Sequence, residues 1–354
     1  MTRKYQVAVV GATGMVGQKM IEVLLERNFP FAGLKLLASA RSAAQKIKAG
    51  GVEYKVEEAT ARSFEGVDFA FFSAGEAISK ELAPDAARRG AVVIDNSNAF
   101  RMDEGVPLVV PEVNPDAVFD HRGIIANPNC STIQMVLALK PLHDAAGLKR
   151  VVAATYQAVS GAGKEAVDEL EEQCRAYLAG QEGPAERIPH YGAPRCYQLA
   201  FNAVPQIDVF VEDGYCKEET KMVHESRKIM GLPDLALTAT TVRIPVANGH
   251  AIALNVELDR ALAPEEARQV LAATPGGIVM DDPADPYLYP TPLQVSGRDE
   301  IFIGRIRPDH TVPHGLNLWV VADNIRKGAA TNSIQIAELL IESMSQGDGE
   351  SRGR

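Results

Sequence analysis

Strand-like and helix-like segments alternate through the first third of the chain, and that rhythm restricts its fold more than any other feature. Short apolar runs, QVAVV (6–10), LKLLAS (34–39), DFAFFSAG (68–75), AVVIDNS (91–97) and GIIAN (123–127), have the length and composition of strands. Between them, VGQKMIEVLLERN and EAISKELAPDAARRG carry apolar residues at helical spacing and end at Asn or Gly. Strand and helix in alternation predict a parallel sheet with both faces covered, because each parallel crossover lays a helix on the sheet.

From Ser131 the pattern changes. A helix is expected over STIQMVLALKPLHDAAG, a long strand over KRVVAATYQAVSG, an acidic helix over KEAVDELEEQCRAYLAG and a Gly- and Pro-rich loop near 180–206. LALTATTVRIPV (235–246) and HAIALNVELD (250–259) alternate apolar with polar residues, as antiparallel strands with one face against helices do. A second, α+β domain is therefore expected. The last helix, AATNSIQIAELLIESMS, has an apolar stripe of Ile334, Ala337, Leu340, Ile341 and Met344 that must pack on a core, and the QGDGESRGR tail is expected to fray.

Composition bounds the partners. With 46% hydrophobic and 23% charged residues, a chain of 354 residues has enough apolar material for two packed domains and too much for disorder. The net charge is −10, and no basic run concentrates positive potential, which argues against nucleic acid and anionic membranes. MTRKY leads straight into an apolar strand without a signal-peptide pattern, and no apolar run approaches the roughly 18 residues of a membrane span, so a cytoplasmic protein is expected. The four cysteines (Cys130, Cys174, Cys196, Cys216) are too few and scattered for a disulfide framework, and none forms a C-x-x-C pair.

VVGATGMVGQKM places Gly11, Gly14 and Gly17 between the first strand and first helix. Glycines there let the backbone approach a pyrophosphate, whose charge the free N–H groups and helix dipole stabilise. The G-x-x-G-x-x-G spacing departs from the usual dinucleotide fingerprint, and a purely structural turn is the competing reading. After the second strand stands ASARSA, with Ser39, Arg41 and Ser42 and no acid to grip the ribose 2′-hydroxyl of NAD. Arg41 thus suggests a 2′-phosphate, hence NADP; the alternative is a solvated surface arginine.

In ANPNCSTIQ, Pro128 keeps the preceding turn from being helical, Ser131 or Thr132 is placed to cap, and a helix follows, so Cys130 lies near the positive end of a helix dipole. Such a position favours the thiolate. It also follows the last strand of the nucleotide domain, at the edge where α/β folds place ligands. A nucleophilic cysteine beside a nicotinamide attacks a carbonyl carbon, and the adduct exchanges hydride with the cofactor. Cys174, inside an acidic helix, is read as structural. Among seven histidines, His310 and His314 are separated by Pro313, which breaks the helix a two-histidine metal site needs, and no metal is expected. His250, at a strand start after Gly249 with Arg243 upstream, is one candidate partner for the thiolate; a satisfied strand-edge histidine is the alternative.

GATGMVG, DNSNAFR, NPNCSTIQ, YQAVSGAGKEA, EETKM, RIPVANGH and DNIRKGAATNSIQIAE, in that order from residue 11 to about 338, resemble the aspartate-β-semialdehyde dehydrogenase family. The resemblance implies a Rossmann-type doubly wound parallel-sheet domain (1–130 plus 329–354) and an α+β catalytic and dimerisation domain (131–328). It implies NADPH-dependent reductive dephosphorylation of L-4-aspartyl phosphate to aspartate semialdehyde, on the route to lysine, threonine and methionine, by a homodimer. Cys130 then resembles the nucleophile, Gln157 the residue orienting the acyl thioester, and His250 the general acid/base. Arg101 and Lys221 are similar to the pair holding the phosphoryl group, Asn129 and Glu218 to substrate contacts, Glu218 at the amine, and Arg243 to the α-carboxylate clamp. Gly11, Thr13, Gly14, Met15, Val16, Ser39, Arg41, Ser42, Ser73, Ser160, Gly161 and Asn324 fall in the cofactor motifs. One departure is Asn98 in DNSNAFR, where the resemblance implies Ser in many members of the family. The rival family, N-acetylglutamyl-phosphate reductase, is expected to show Gly-Cys-Tyr, and here Cys130 stands between Asn129 and Ser131. A catalytically silent, cofactor-sensing relative is expected to lose Cys130 or His250; both are present.

Overall fold

A computed structural model describes residues 3–351, with side chains through Met344. The chain forms two compact units, Met1–Asn129 with Ala329–Arg354, and Cys130–Gly328.

In the first unit β1 (Tyr5–Val10), α1 (Met15–Glu26), β2 (Phe31–Ala38), β3 (Lys46–Ala49), β4 (Val52–Glu58), β5 (Phe69–Phe72), α2 (Glu76–Arg88), β6 (Val92–Asp95) and β7 (Ile124–Ala126) follow in order. The sheet reads β3-β4-β2-β1-β5-β6-β7. Its strands are parallel except β3, which pairs antiparallel with β4. That hairpin corrects the five-strand, all-parallel expectation. Gly50 and Gly51, at φ +57° and +79°, make a turn too tight for any crossover, so the two strands must be antiparallel. Successive β1 residues face opposite cores: Val7 and Val9 pack with Met20 and Leu24 of α1, while Ala8 and Val10 pack with Leu82 and Ala83 of α2. Strand order reverses at β1, which opens a crevice at the carboxyl ends of β1 and its neighbours.

The second unit comprises α3 (Cys130–Ala146), β8 (Leu148–Gln157), α4 (Lys164–Leu178), α5 (Lys217–Met230), β9 (Ala236–Arg243), β10 (His250–Leu258), α6 (Pro264–Ala272), β11 (Gly277–Val279), α7 (Pro292–Val295), β12 (Ile301–Asp309) and β13 (Gly315–Ala322). Its sheet is mixed, in the order β11-β12-β13-β10-β8-β9. The antiparallel sheet expected to hold 235–246 and 250–259 is mixed instead. β8 lies between them, parallel to β9 and antiparallel to β10, because the chain reaches β9 through helical crossovers that allow parallel pairing. β9 stops at Arg243, two residues before Pro245, which has no N–H for a ladder. The strand expected through Gly161 ends at Gln157, and Val159–Ala162 coil into a 3-10 turn. α3 opens at Cys130 itself, so Ser131 and Thr132 lie inside the helix instead of capping it.

The Gly- and Pro-rich loop after α4 is held by that helix. Gln173 Oε1 accepts the Leu199 and Ala200 N–H groups, and the Glu169 carboxylate accepts those of Glu186 and Arg187. The two Gln173 bonds satisfy buried backbone donors that would otherwise each cost about 1–3 kcal/mol.

The last helix, α8 (Thr331–Ser351), belongs to the first unit, where Ile334, Ala337, Leu340 and Ile341 join the core of β1 and α1. Met344, expected in that stripe, is 44% exposed: the helix outruns the core it packs on. Helical backbone continues to Ser351 where fraying was expected, and 352–354 lie outside the described residues.

Candidate active site

Three neighbouring strands of the second unit bring three of the predicted side chains to one end of its sheet. Gln157 closes β8, Arg243 closes β9 directly opposite it, and His250 opens β10, which runs the other way. All three are at most 3% exposed. Ala158, the residue after Gln157, uses both its backbone groups on this cluster. Its N–H donates to His250 Nδ1 at 3.1 Å, and its carbonyl accepts from Arg243 Nη1 at 2.6 Å.

The Ala158 bond makes Nδ1 the acceptor and so leaves the proton of the neutral ring on Nε2. Burial pushes His250 down to about 3, the Arg243 guanidinium pushes the same way, and Glu218 opposes both. The ring is therefore neutral at physiological pH. Burial also lowers Arg243, against Glu218 and Cys130, which favour its charged form. His250 Nε2 and Arg243 Nε are buried without a hydrogen-bond partner, an arrangement tolerated where a ligand supplies the missing acceptors. A methyl on Gly161 would lie 2.9 Å from Arg243 Nη1 and 3.2 Å from His250 Nε2, so the glycine keeps this corner open.

Cys130 is the first residue of α3, where the helix's unsatisfied N–H groups favour a negative sulfur. Gly328 backs it closely, since a methyl there would come within 2.8 Å of Cys130 Cβ. Ser131 does not cap the helix; it accepts a 2.7 Å bond from Gln157 Nε2, which also donates to Glu218 Oε1 at 3.2 Å. Glu218 and Lys221 sit one turn apart on α5, whose start is fixed by the Glu219 carboxylate on the Cys216 N–H and whose end is closed by Gly231 in the left-handed region. Lys221 Nζ contacts Glu218 Oε2 at 3.2 Å and Asp208 Oδ2 at 3.1 Å. Ser160 and Asn324 hydrogen-bond each other, and Asn324 Oδ1 accepts the Gly249 N–H beside His250.

In the first unit a cleft of about 490 Å³ is lined by Gly11, Thr13, Gly14, Ser39, Arg41, Ser42 and Ser73. Gly11, at φ +83°, approaches so close that an added methyl would lie 2.7 Å from the Ser73 carbonyl oxygen, and Gly14 caps α1 with neither a side-chain cap nor an acid in the first turn. That is the cradle a pyrophosphate needs, and the residues present fit a dinucleotide. Met15 and Val16 open α1 outside the lining, and Val16 packs on the core. Two acids that sequence reading missed also line the cleft: Glu58, which ends β4 directly opposite Ala38 of β2, and Glu81 of α2. Arg101, also in this unit, is held by the carbonyls of Asn127 (2.9 Å) and Asn96 (3.0 Å). Its loop is pinned by buried Asp95, which accepts from Ser79 and Ser97 at 2.7 Å each; burial raises the Asp95 carboxyl despite those donors and Arg101.

Comparison with known proteins accords with both halves. Residues 6–121 match the semialdehyde dehydrogenase NAD binding domain, and 139–327 the semialdehyde dehydrogenase dimerisation domain. The chain is similar to the aspartate-semialdehyde dehydrogenases of Aquifex aeolicus (56% identical) and Bacillus subtilis (53%), covering 96% of this chain and 98% of each relative. The chain belongs to the aspartate-semialdehyde dehydrogenase family. Aspartate semialdehyde dehydrogenase II of Vibrio cholerae, solved in complex with ASA, superposes with a TM-score of 0.91 at 46% identity, over 96% of this chain and 99% of that one. Membership makes the chain an NAD(P)-binding oxidoreductase of aspartate-family amino-acid biosynthesis.

In this dehydrogenase the second unit gathers Cys130, Gln157, Glu218, Lys221, Arg243 and His250, together with Ser160, Gly161 and Asn324; Arg101 and Asn129 lie in the first. Ser131, Ala158 and Asp208 were not among the predicted site residues. Only Asp208 left a signal, a lone acid between Ile207 and Val209 in a turn-rich stretch. No helix among the described residues is long and apolar enough to cross a membrane.

Proposed function

We propose that the chain reduces L-4-aspartyl phosphate to L-aspartate 4-semialdehyde in the cytoplasm, with NADPH, through a thioester on Cys130. The convergence of Gln157, Arg243 and His250 at one sheet end, beside Glu218, Lys221 and the cysteine, carries this reading. The Cys130 thiolate attacks the acyl carbon, a C–S bond forms, the C–O bond to the phosphoryl group breaks and inorganic phosphate leaves. NADPH, when bound, supplies the hydride that reduces the thioester carbon. His250, neutral with its proton on Nε2, donates a hydrogen bond from that atom to the oxygen of the tetrahedral species on Cys130, and as the C=O bond re-forms the C–S bond breaks, the aldehyde departs and the thiolate returns. Gln157 orients the acyl group from its anchored position between Ser131 and Glu218. The Arg243 fork suits the substrate α-carboxylate, Glu218 its amine and Lys221 its phosphoryl group; the phosphoryl role of Arg101 and the substrate contact of Asn129 are proposed from their motifs.

A homodimer is part of the proposal. Tyr156 is 39% exposed and its ring lies 5.5 Å from that of half-buried Trp319, on a sheet face fit for a second copy. The deciding experiment is phosphate-dependent reduction of NADP with aspartate semialdehyde. Cys130→Ala is expected to abolish turnover while leaving NADPH binding intact; a variant that still turns over would refute the thioester.

A further inference from the structure

Lys221 is shared by two carboxylates, and only one of them has a place in the proposed chemistry. Glu218, on the same helix, lies 3.2 Å from its ammonium; Asp208, from the loop before the helix, lies 3.1 Å away on the other oxygen pairing. Asp208 is fixed with some effort. Its backbone is at φ +70°, a region where asparagine and glycine sit more easily. Its Oδ1 accepts the Val209 N–H at 2.9 Å, and its carbonyl accepts Gln206 Nε2 at 3.0 Å. The turn therefore aims Oδ2 at the ammonium, although the Lys221 side chain is only 16% exposed and already has a carboxylate partner.

We propose that Asp208 is the counter-ion that the phosphoryl group displaces from Lys221, and that it sets the affinity for inorganic phosphate. An ammonium this enclosed, without the Asp208 carboxylate, would hold a phosphate dianion more tightly and slow its departure. With Asp208 in reach, phosphate competes with an existing ion pair for the Lys221 ammonium, so phosphate binds more weakly and leaves faster. Aspartate semialdehyde, which has no phosphoryl group, does not compete with Asp208 in this way.

The inference rests on the reading of Lys221 as a phosphoryl contact. Asp208→Asn keeps the turn and an oxygen for the Val209 N–H while removing the charge; Asp208→Gly removes it on a backbone that takes φ +70° without strain. In the oxidative assay with inorganic phosphate, at least one variant is expected to lower the phosphate KM roughly two- to fivefold, the span of a partly exposed charge pair. Product inhibition by phosphate in the reductive direction should tighten equally, and the KM for semialdehyde should stay within about twofold. A phosphate KM that is unchanged or raised in both variants overturns the proposal and leaves Asp208 as a tie between loop and helix. Lys221→Ala separates the two levels. If it leaves the phosphate KM unchanged, the assignment of Lys221 itself fails; if it raises that KM while neither Asp208 variant lowers it, the counter-ion proposal alone fails.

Discussion

His250 and Arg243 are held by opposite ends of one peptide residue: the imidazole Nδ1 takes the N–H of Ala158 at 3.1 Å, and the guanidinium gives a 2.6 Å bond to its carbonyl. The proposed hydrogen-bond donor and the proposed carboxylate clamp therefore keep a fixed spacing, and the Ala158 N–H chooses the imidazole tautomer. Neither role is available to a histidine free to rotate.

The buried ring has a consequence for stability. Its folded pKa is about 3, below the ordinary 6.5, so between those values the unfolded chain binds a proton that the folded chain does not. The stability His250 contributes is thus complete above about 6.5 and is lost as pH falls toward 3. His250→Asn supplies an oxygen for the Ala158 N–H but does not titrate. Melting temperatures are expected to fall less steeply for the variant than for the wild type as pH drops from 6.5, while kcat at neutral pH falls roughly 10²- to 10⁴-fold. Parallel melting profiles would mean that the imidazole titrates normally.

Gly161 tests the geometry without replacing any group of the proposed chemistry. Its φ is not in the left-handed region, so alanine fits the backbone, but the added methyl meets Arg243 Nη1 at 2.9 Å and His250 Nε2 at 3.2 Å. The guanidinium is pinned by Ala158 and the imidazole is fully buried, so neither yields without leaving its position. Gly161→Ala should lower kcat/KM for semialdehyde by roughly 10- to 100-fold, the effect of about an ångström of misplacement, with little change in melting temperature. A fully active variant would show that the two side chains move freely in solution.

What could be read from the sequence followed the range of the interaction responsible. The Gly-rich turn, the cysteine at a helix start and the stripe of Ile334, Ala337 and Leu340 are local patterns, and local patterns survive translation into structure. Pairing was not local. Nothing within 235–259 says that β8 will separate β9 from β10, yet that insertion is what sets Arg243 opposite Gln157. The same limit hid Ala158, which acts through its backbone, and Asp208, whose partner lies 13 residues away on a helix that period reading had not marked. Glu58 was invisible for a related reason. The expected acid was sought after β2, and the neighbouring strand β4 brought one instead.

That acid sharpens the test of cofactor choice. Arg41 is an exposed residue in the Ala40–Ser42 turn after β2, and it lines the cleft with Ser39, Ser42 and Glu58. If it binds the 2′-phosphate of NADPH, Arg41→Ala removes a charge-assisted contact worth about 1.5–3 kcal/mol and leaves the Glu58 carboxylate unopposed beside the same group. NADPH should then weaken by roughly 10- to 150-fold, with solvent screening of an exposed arginine favouring the lower part of that range. NADH should bind almost as before, because Glu58 repels a phosphate but accepts a hydrogen bond from a ribose hydroxyl. Dissociation constants for both cofactors, measured by fluorescence titration, decide the matter. Equal weakening of NADH and NADPH would show that Arg41 supports the turn and does not read the phosphate.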